Sequence, residues 1–162
     1  MLKTIMRKFY SALIAGGIVL GVASASAQLN AGSDAPIDIT GDQFEAFRDR
    51  DYVVWTGDVQ VVQGEAILTA PKLTIYGVES GNLQRINAEG GIRYTNGAEA
   101  ISSRDAVYSA QDETVIFTGD VVVVQGEQVL TGGRLVYYTQ TGQLNFTSAG
   151  GDRVRGIFVT ED

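Results

Sequence analysis

Across 162 residues there is no cysteine and no histidine, and there are only two prolines and one tryptophan. Without cysteine there is no disulfide framework, thiol nucleophile or thiolate metal site. Without histidine the commonest general base and the usual transition-metal ligand are both missing, so Ser-His-Asp, Cys-His and HExxH chemistry cannot be assembled. Catalysis would have to rest on carboxylates, lysine or tyrosine. The chain also lacks an apolar run of the roughly 20 residues that a membrane-spanning helix needs. What it has instead is 20 glycines, 44% hydrophobic residues and 19% charged residues, a globular composition of one-domain length.

The first 27 residues read as a leader. Lys3, Arg7 and Lys8 form a positive start, Phe9 to Val22 is an apolar run of about 14 residues, and Ala25-Ser26-Ala27 supplies small residues before Gln28. Cleavage there, with secretion, is the expectation, followed by a flexible segment at 28–35, a domain at 36–159 and a tail at 160–162. The leader holds three of the 12 basic residues and no acid, so residues 28–162 carry 9 − 19 = −10 against −7 for the whole chain. Such an acidic domain is a poor partner for nucleic acid.

The domain contains a duplication. Thr56-Gly57-Asp58-Val59-Gln60-Val61-Val62-Gln63-Gly64-Glu65 returns as Thr118-Gly119-Asp120-Val121-Val122-Val123-Val124-Gln125-Gly126-Glu127, and a weaker copy, Gly90-Gly91-Ile92-Arg93-Tyr94-Thr95-Asn96-Gly97, lies between them. The unit is therefore about 31 residues. Apolar residues alternate inside it: Val53, Trp55, Val59 and Val61 share one parity, as do Ile92 and Tyr94, and Val115, Phe117, Val121 and Val123. Period two with β-branched and aromatic residues is strand, and no segment of the domain shows a convincing helical period.

Turn signals recur at Arg50-Asp51, Gln63-Gly64, Ser80-Gly81-Asn82, Asn96-Gly97, Gln111-Asp112, Gln125-Gly126 and Thr141-Gly142. Asn96-Gly97 is the strongest, and suits a type I′ hairpin. Seven turns divide an antiparallel meander into eight legs, each longer than the usual strand of five or six residues. Most inner legs carry a breaker near mid-length: Gly57, Ala70-Pro71, Gly90-Gly91, Gly119 and Gly132-Gly133. Apolar parity switches at Pro71, as at a bulge. Legs bent at one height give an all-β fold, a V-shaped antiparallel β-jellyroll of about 16 short strands in two facing sheets around an apolar trough.

The opening Pro36-Ile37-Asp38-Ile39-Thr40-Gly41-Asp42, the two Thr-Gly-Asp-Val blocks and the tail Gly151-Asp152-Arg153-Val154-Arg155-Gly156-Ile157-Phe158-Val159 resemble the OstA-like (LptA) family of periplasmic lipopolysaccharide-transport proteins over nearly all of residues 36–159. The resemblance implies a β-jellyroll whose interior holds the acyl chains of lipopolysaccharide. It further implies end-to-end stacking between an LptC-like inner-membrane protein and the N-terminal domain of an LptD-like outer-membrane protein. The cleavable leader disfavours LptC itself, and the chain lacks the long barrel of LptD.

On this reading the lipid-contacting set is Ile37 and Ile39 at the mouth, then Val53, Trp55, Val59, Val61, Leu73, Ile92, Tyr94, Val115, Phe117, Val121 and Leu135. The first and last legs, each with a neighbour on one side only, provide an edge for a head-to-tail homo-oligomer through Ile37, Ile39, Val154, Ile157, Phe158 and Val159. Arg85, Arg93, Arg153 and Arg155 are candidates for phosphate contact. No cofactor, metal or catalytic residue is expected: Asp58 and Asp120, the one recurrent carboxylate pair, read as solvated corner residues on the parity opposite the lining. The alternative is a structural, self-assembling β-repeat protein of the envelope that carries no lipid.

Overall fold

The computed structural model describes residues 36–138, 140–141, 143–148, 150 and 153–159. The leader, the 28–35 segment, the 160–162 tail and Gly142 of the last turn lie outside them. The described residues form one antiparallel sheet of ten strands: β1 (Asp38–Thr40), β2 (Gln43–Phe47), β3 (Tyr52–Gln63), β4 (Ala66–Tyr76), β5 (Arg85–Thr95), β6 (Glu99–Ser109), β7 (Thr114–Gln125), β8 (Gln128–Tyr138), β9 (Leu144–Thr147) and β10 (Arg155–Ile157). From β3 to β8 each strand pairs with the next in sequence, so the eight-leg meander is the observed topology. The count is ten strands rather than about 16, because the inner legs keep their ladders on both sides of the bend and run through it unbroken. Only the outer legs split in two, β1 and β2 at one edge and β9 and β10 at the other.

The bend has a simple arithmetic. Thr56 pairs with Lys72 and Val59 with Ala70, so residues 57 and 58 face the single residue Pro71. In the same way 90 and 91 face Pro71 on one side and Arg104 on the other, and 119 and 120 face Arg104 and Gly133. Alternate strands thus carry a two-residue bulge, while those between carry one corner residue. Two extra residues preserve side-chain parity and one reverses it. This is why Trp55 and Val59 both point inward along β3, whereas β4 changes from Leu68 and Ala70 to Leu73 and Ile75.

Both bulge positions adopt left-handed backbone: φ is 78° and 42° at Gly57-Asp58, 96° and 108° at Gly90-Gly91, and 82° and 50° at Gly119-Asp120. Glycine enters this region freely, and aspartate is among the few other residues that tolerate it. The repeated Gly-Asp is therefore a backbone device. The side chains of Asp42, Pro71 and Arg104 cover the first glycine of each bulge, close enough that an added Cβ would press on them.

The sheet folds onto itself. Val59, Leu73, Ile92, Val121 and Leu135 are almost wholly buried, yet the described residues form no second sheet and no α-helix to cover them. The sheet therefore covers its own inward face.

The turn at Asn96 differs from the type I′ expectation. Only Gly97 has positive φ, and three residues, 96–98, separate β5 from β6. Asn96 Oδ1 accepts hydrogen bonds from the backbone N–H of Ala98 and Glu99 at 3.1 and 3.0 Å, a side-chain turn that replaces the second left-handed residue. At the opposite ends of the legs, Asp51 Oδ1 accepts from the N–H groups of Glu79 and Ser80 at 2.7 and 3.2 Å. The Ser80 hydroxyl is the main reason that the Asp51 carboxyl lies below its ordinary range, with backbone donors adding to it. This fixes the loop that tucks Leu83, 1% exposed, into the core.

Candidate functional site: an apolar trough with two open edges

The inward parity of all the legs gathers into one cluster. Its buried members include Val53, Val59, Val61, Leu73, Ile92, Tyr94, Phe117, Val121 and Leu135, and Ile37, Ile39, Trp55 and Val115 pack against it half-buried. Every residue assigned to the lining from sequence is therefore in a single interior. Leu73, Ile92, Leu135, Val59 and Val121 have almost no exposed surface and form its closed middle. Several members were not read from the sequence, among them Leu83, Ile86, Ile101 and Ala106. Ile101 and Ala106 straddle the Arg104 corner on opposite parities, so simple alternation along β6 hides one of them.

Polar groups also enter the interior. Gln63 and Glu99 are buried at 3% and 4% exposure, and Asn96 donates through Nδ2 to Glu99 Oε1 at 3.4 Å. Tyr94 is raised well above the ordinary phenol range, first by burial and then by the Glu99 charge, and Tyr108 is raised mainly by burial. The interior is apolar along its length and hydrogen-bonding where the strand ends meet.

The edges differ from the interior. Among the described residues seven large hydrophobic side chains stand exposed, and five of them belong to the outer legs: Phe44 at 55%, Val154 at 43%, Ile157 at 45%, Phe158 at 54% and Val159 at 55%. Phe44 was missed in the sequence reading. Its signal is register, since it pairs with Trp55 and packs against it with ring centroids 4.5 Å apart and planes tilted by 51°. Exposed apolar residues concentrated along sheet edges mark interaction surfaces.

The remaining candidates do not form a site. Asp58 and Asp120 are exposed and lie on β3 and β7, four strand spacings or about 19 Å apart. The carboxylate pairs of glycosidases lie about 5 to 9.5 Å apart. Arg85 and Arg93 sit on opposite sides of the β5 bend, and Arg153 and Arg155 at the far edge, so the four do not converge. Among the described residues no group of three or more Asp or Glu could hold a metal ion.

The family model for the LptA/(LptD N-terminal domain) LPS transport protein matches residues 38–143 and 100–159. The chain belongs to this family. An uncharacterized protein of Rhizobium meliloti (strain 1021) is 28% identical over 151 residues, covering 87% of this chain and 81% of that one. Among solved structures, LptH, the LptA-homologous periplasmic component of the lipopolysaccharide transport device of Pseudomonas aeruginosa, superposes with a TM-score of 0.66 at 21% identity, covering 78% of this chain and 96% of LptH. The LptA-like β-jellyroll expected from the sequence is thus the fold observed, in ten strands.

Proposed function

We propose that this protein is a periplasmic bridge that binds lipopolysaccharide and passes it from the inner to the outer membrane for outer-membrane assembly. Its trough would hold the acyl chains. The observation that carries this reading is an apolar lining that runs from one unpaired edge to the other, from Ile37, Ile39 and Trp55 beside the first legs to Leu130, Leu144 and Phe146 beside the last. A closed barrel seals such a lining, whereas here it continues to the surface at both edges, where the next protein in a stack adds its own.

Burying about ten methylenes at ~0.8 kcal/mol each stabilises the bound lipid by roughly 8 kcal/mol before the costs of ordering. Because the middle of the trough is packed on itself, the chains enter by parting the two facing halves or by sliding in from an edge. The acidic surface keeps the phosphorylated headgroup in solvent. An LptC-like protein at one edge and the N-terminal domain of an LptD-like protein at the other, each offering an equivalent strand, would complete the path, with copies of this chain between them.

The test is photo-crosslinking of the mature protein to lipopolysaccharide from Trp55 and Phe117, with the exposed Glu79 as control. Labelling from the two lining positions and not from Glu79 is the expected outcome. Labelling at Glu79 alone overturns the trough as the binding site.

A further inference from the structure

Resting on the stacking just proposed, we infer that opposite charges on the two edges set the direction and register in which copies of this chain join. The first leg, Pro36 to Arg48, carries Asp38, Asp42 and Glu45 along its strands, and its one basic residue, Arg48, lies past the end of β2 and pairs with Glu79 at 3.7 Å. The last leg, residues 143–159, carries Arg153 and Arg155 against the single Asp152. All three acids of the first leg and both arginines are exposed.

The repeat places these charges at matching heights. Arg155 pairs with Thr131, which pairs with Val122. Thr40 pairs with Gln60, the position equivalent to Val122 in the duplication. Extending the sheet from one copy to the next therefore sets Arg155 beside Thr40, with Asp38 its diagonal neighbour. The eight legs are even in number, so the last leg of one copy and the first of the next run antiparallel, as every neighbouring pair within the sheet does.

The faces agree as well. Gly156 pairs with Leu130 and an added Cβ there would touch Leu130 and Phe158, so Gly156 faces inward and Arg155 outward. Ile39 packs on the core, so Asp38 faces outward on the same side as Arg155. Diagonal neighbours in an antiparallel pair lie within reach of a long side chain. Arg153, two residues before Arg155, comes to the height of Asp42 at the corner.

Same-edge joining is opposed by the same charges. Two first legs would set Asp38, Asp42 and Glu45 against their own copies, and two last legs would set the arginines against each other. Such like-charge contacts exclude the wrong partner more than they strengthen the right one. In a domain of strongly negative net charge, the basic last leg is the one edge that attracts another copy. Phe44 on one copy and Phe158 on the next would be covered together at the junction.

The experiment uses the leaderless chain, residues 28–162, in sedimentation velocity over a concentration series. Arg153→Glu with Arg155→Glu makes both edges acidic, and Asp38→Lys with Asp42→Lys makes both basic. Each variant alone is expected to self-associate at least about tenfold more weakly than wild type, and raised salt to reduce the difference. An equimolar mixture of the two variants restores stacking, because each now offers the edge that the other lacks. That recovery also shows that neither variant has lost its fold. Variants that stack as wild type does, or a mixture that stays monomeric, overturn the charge assignment and leave stacking intact. A wild-type chain that remains monomeric throughout overturns the stacking itself.

Discussion

Gly57 is the point at which the first leg is fastened to the bend, and replacing it tests the corner directly. Its φ of 78° costs an alanine roughly 1 to 2 kcal/mol in backbone strain alone. The new methyl would also meet Asp42, with Cβ 2.7 Å and Cγ 2.8 Å from the added atom. Moving Asp42 strains the hydrogen bond that its N–H donates to the Gly57 carbonyl at 2.9 Å, which contributes about 1 kcal/mol. Gly57→Ala should therefore destabilise the domain by about 2 to 3 kcal/mol in urea denaturation. The steric share has its own control. Adding Asp42→Gly removes every side-chain atom in the way and should return about 1 kcal/mol, leaving the backbone strain. A Gly57→Ala protein as stable as wild type would refute the left-handed bulge. A double variant no more stable than the single one would refute the part assigned to Asp42.

Other expectations follow from the same geometry. Asp120→Gly should leave stability unchanged or raise it by a few tenths of a kcal/mol, whereas Asp120→Val, β-branched at a φ of 50°, should lower it by more than about 1 kcal/mol; equal effects in thermal denaturation would remove the backbone explanation. Stability should be full below about pH 10, where an unfolded tyrosine begins to ionise, and fall as the pH rises toward 12, because folded Tyr137 keeps a proton that the unfolded chain releases. Denaturation at pH 9, 10 and 11 should show this slope, and Tyr137→Phe should flatten it by roughly 1 kcal/mol per pH unit at most; an unchanged slope in that variant would place the loss elsewhere.

Much of this architecture was legible in the sequence because β-structure writes itself in parity and punctuation. The alternation of Val53, Trp55, Val59 and Val61, with its echo around Phe117 and Val121, located both the strands and the inward face. The turn residues located the ends of the legs. Two kinds of feature stayed hidden. The β6 corner falls on Ser103-Arg104, which carries no breaker, since its bend is imposed by the glycine bulges on either side. Asp58 and Asp120 read as solvated turn carboxylates, which is where they sit, but their left-handed φ depends on tertiary register that composition does not record. Phe44 likewise gains its meaning only from Trp55 across the ladder. The strand number was overcounted because a breaker in sequence was equated with an end of pairing, whereas a bulge bends a strand and lets its ladder continue.

The alternation of two-residue and one-residue corners also restricts how this domain can change in width. Removing one leg would bring two like corners side by side and turn the lining of everything beyond it outward. Removing or adding a whole hairpin, about 31 residues, leaves every corner opposite its complement and the first and last legs antiparallel. The trough is therefore built in units of two strands, and relatives of different length should differ by whole hairpins.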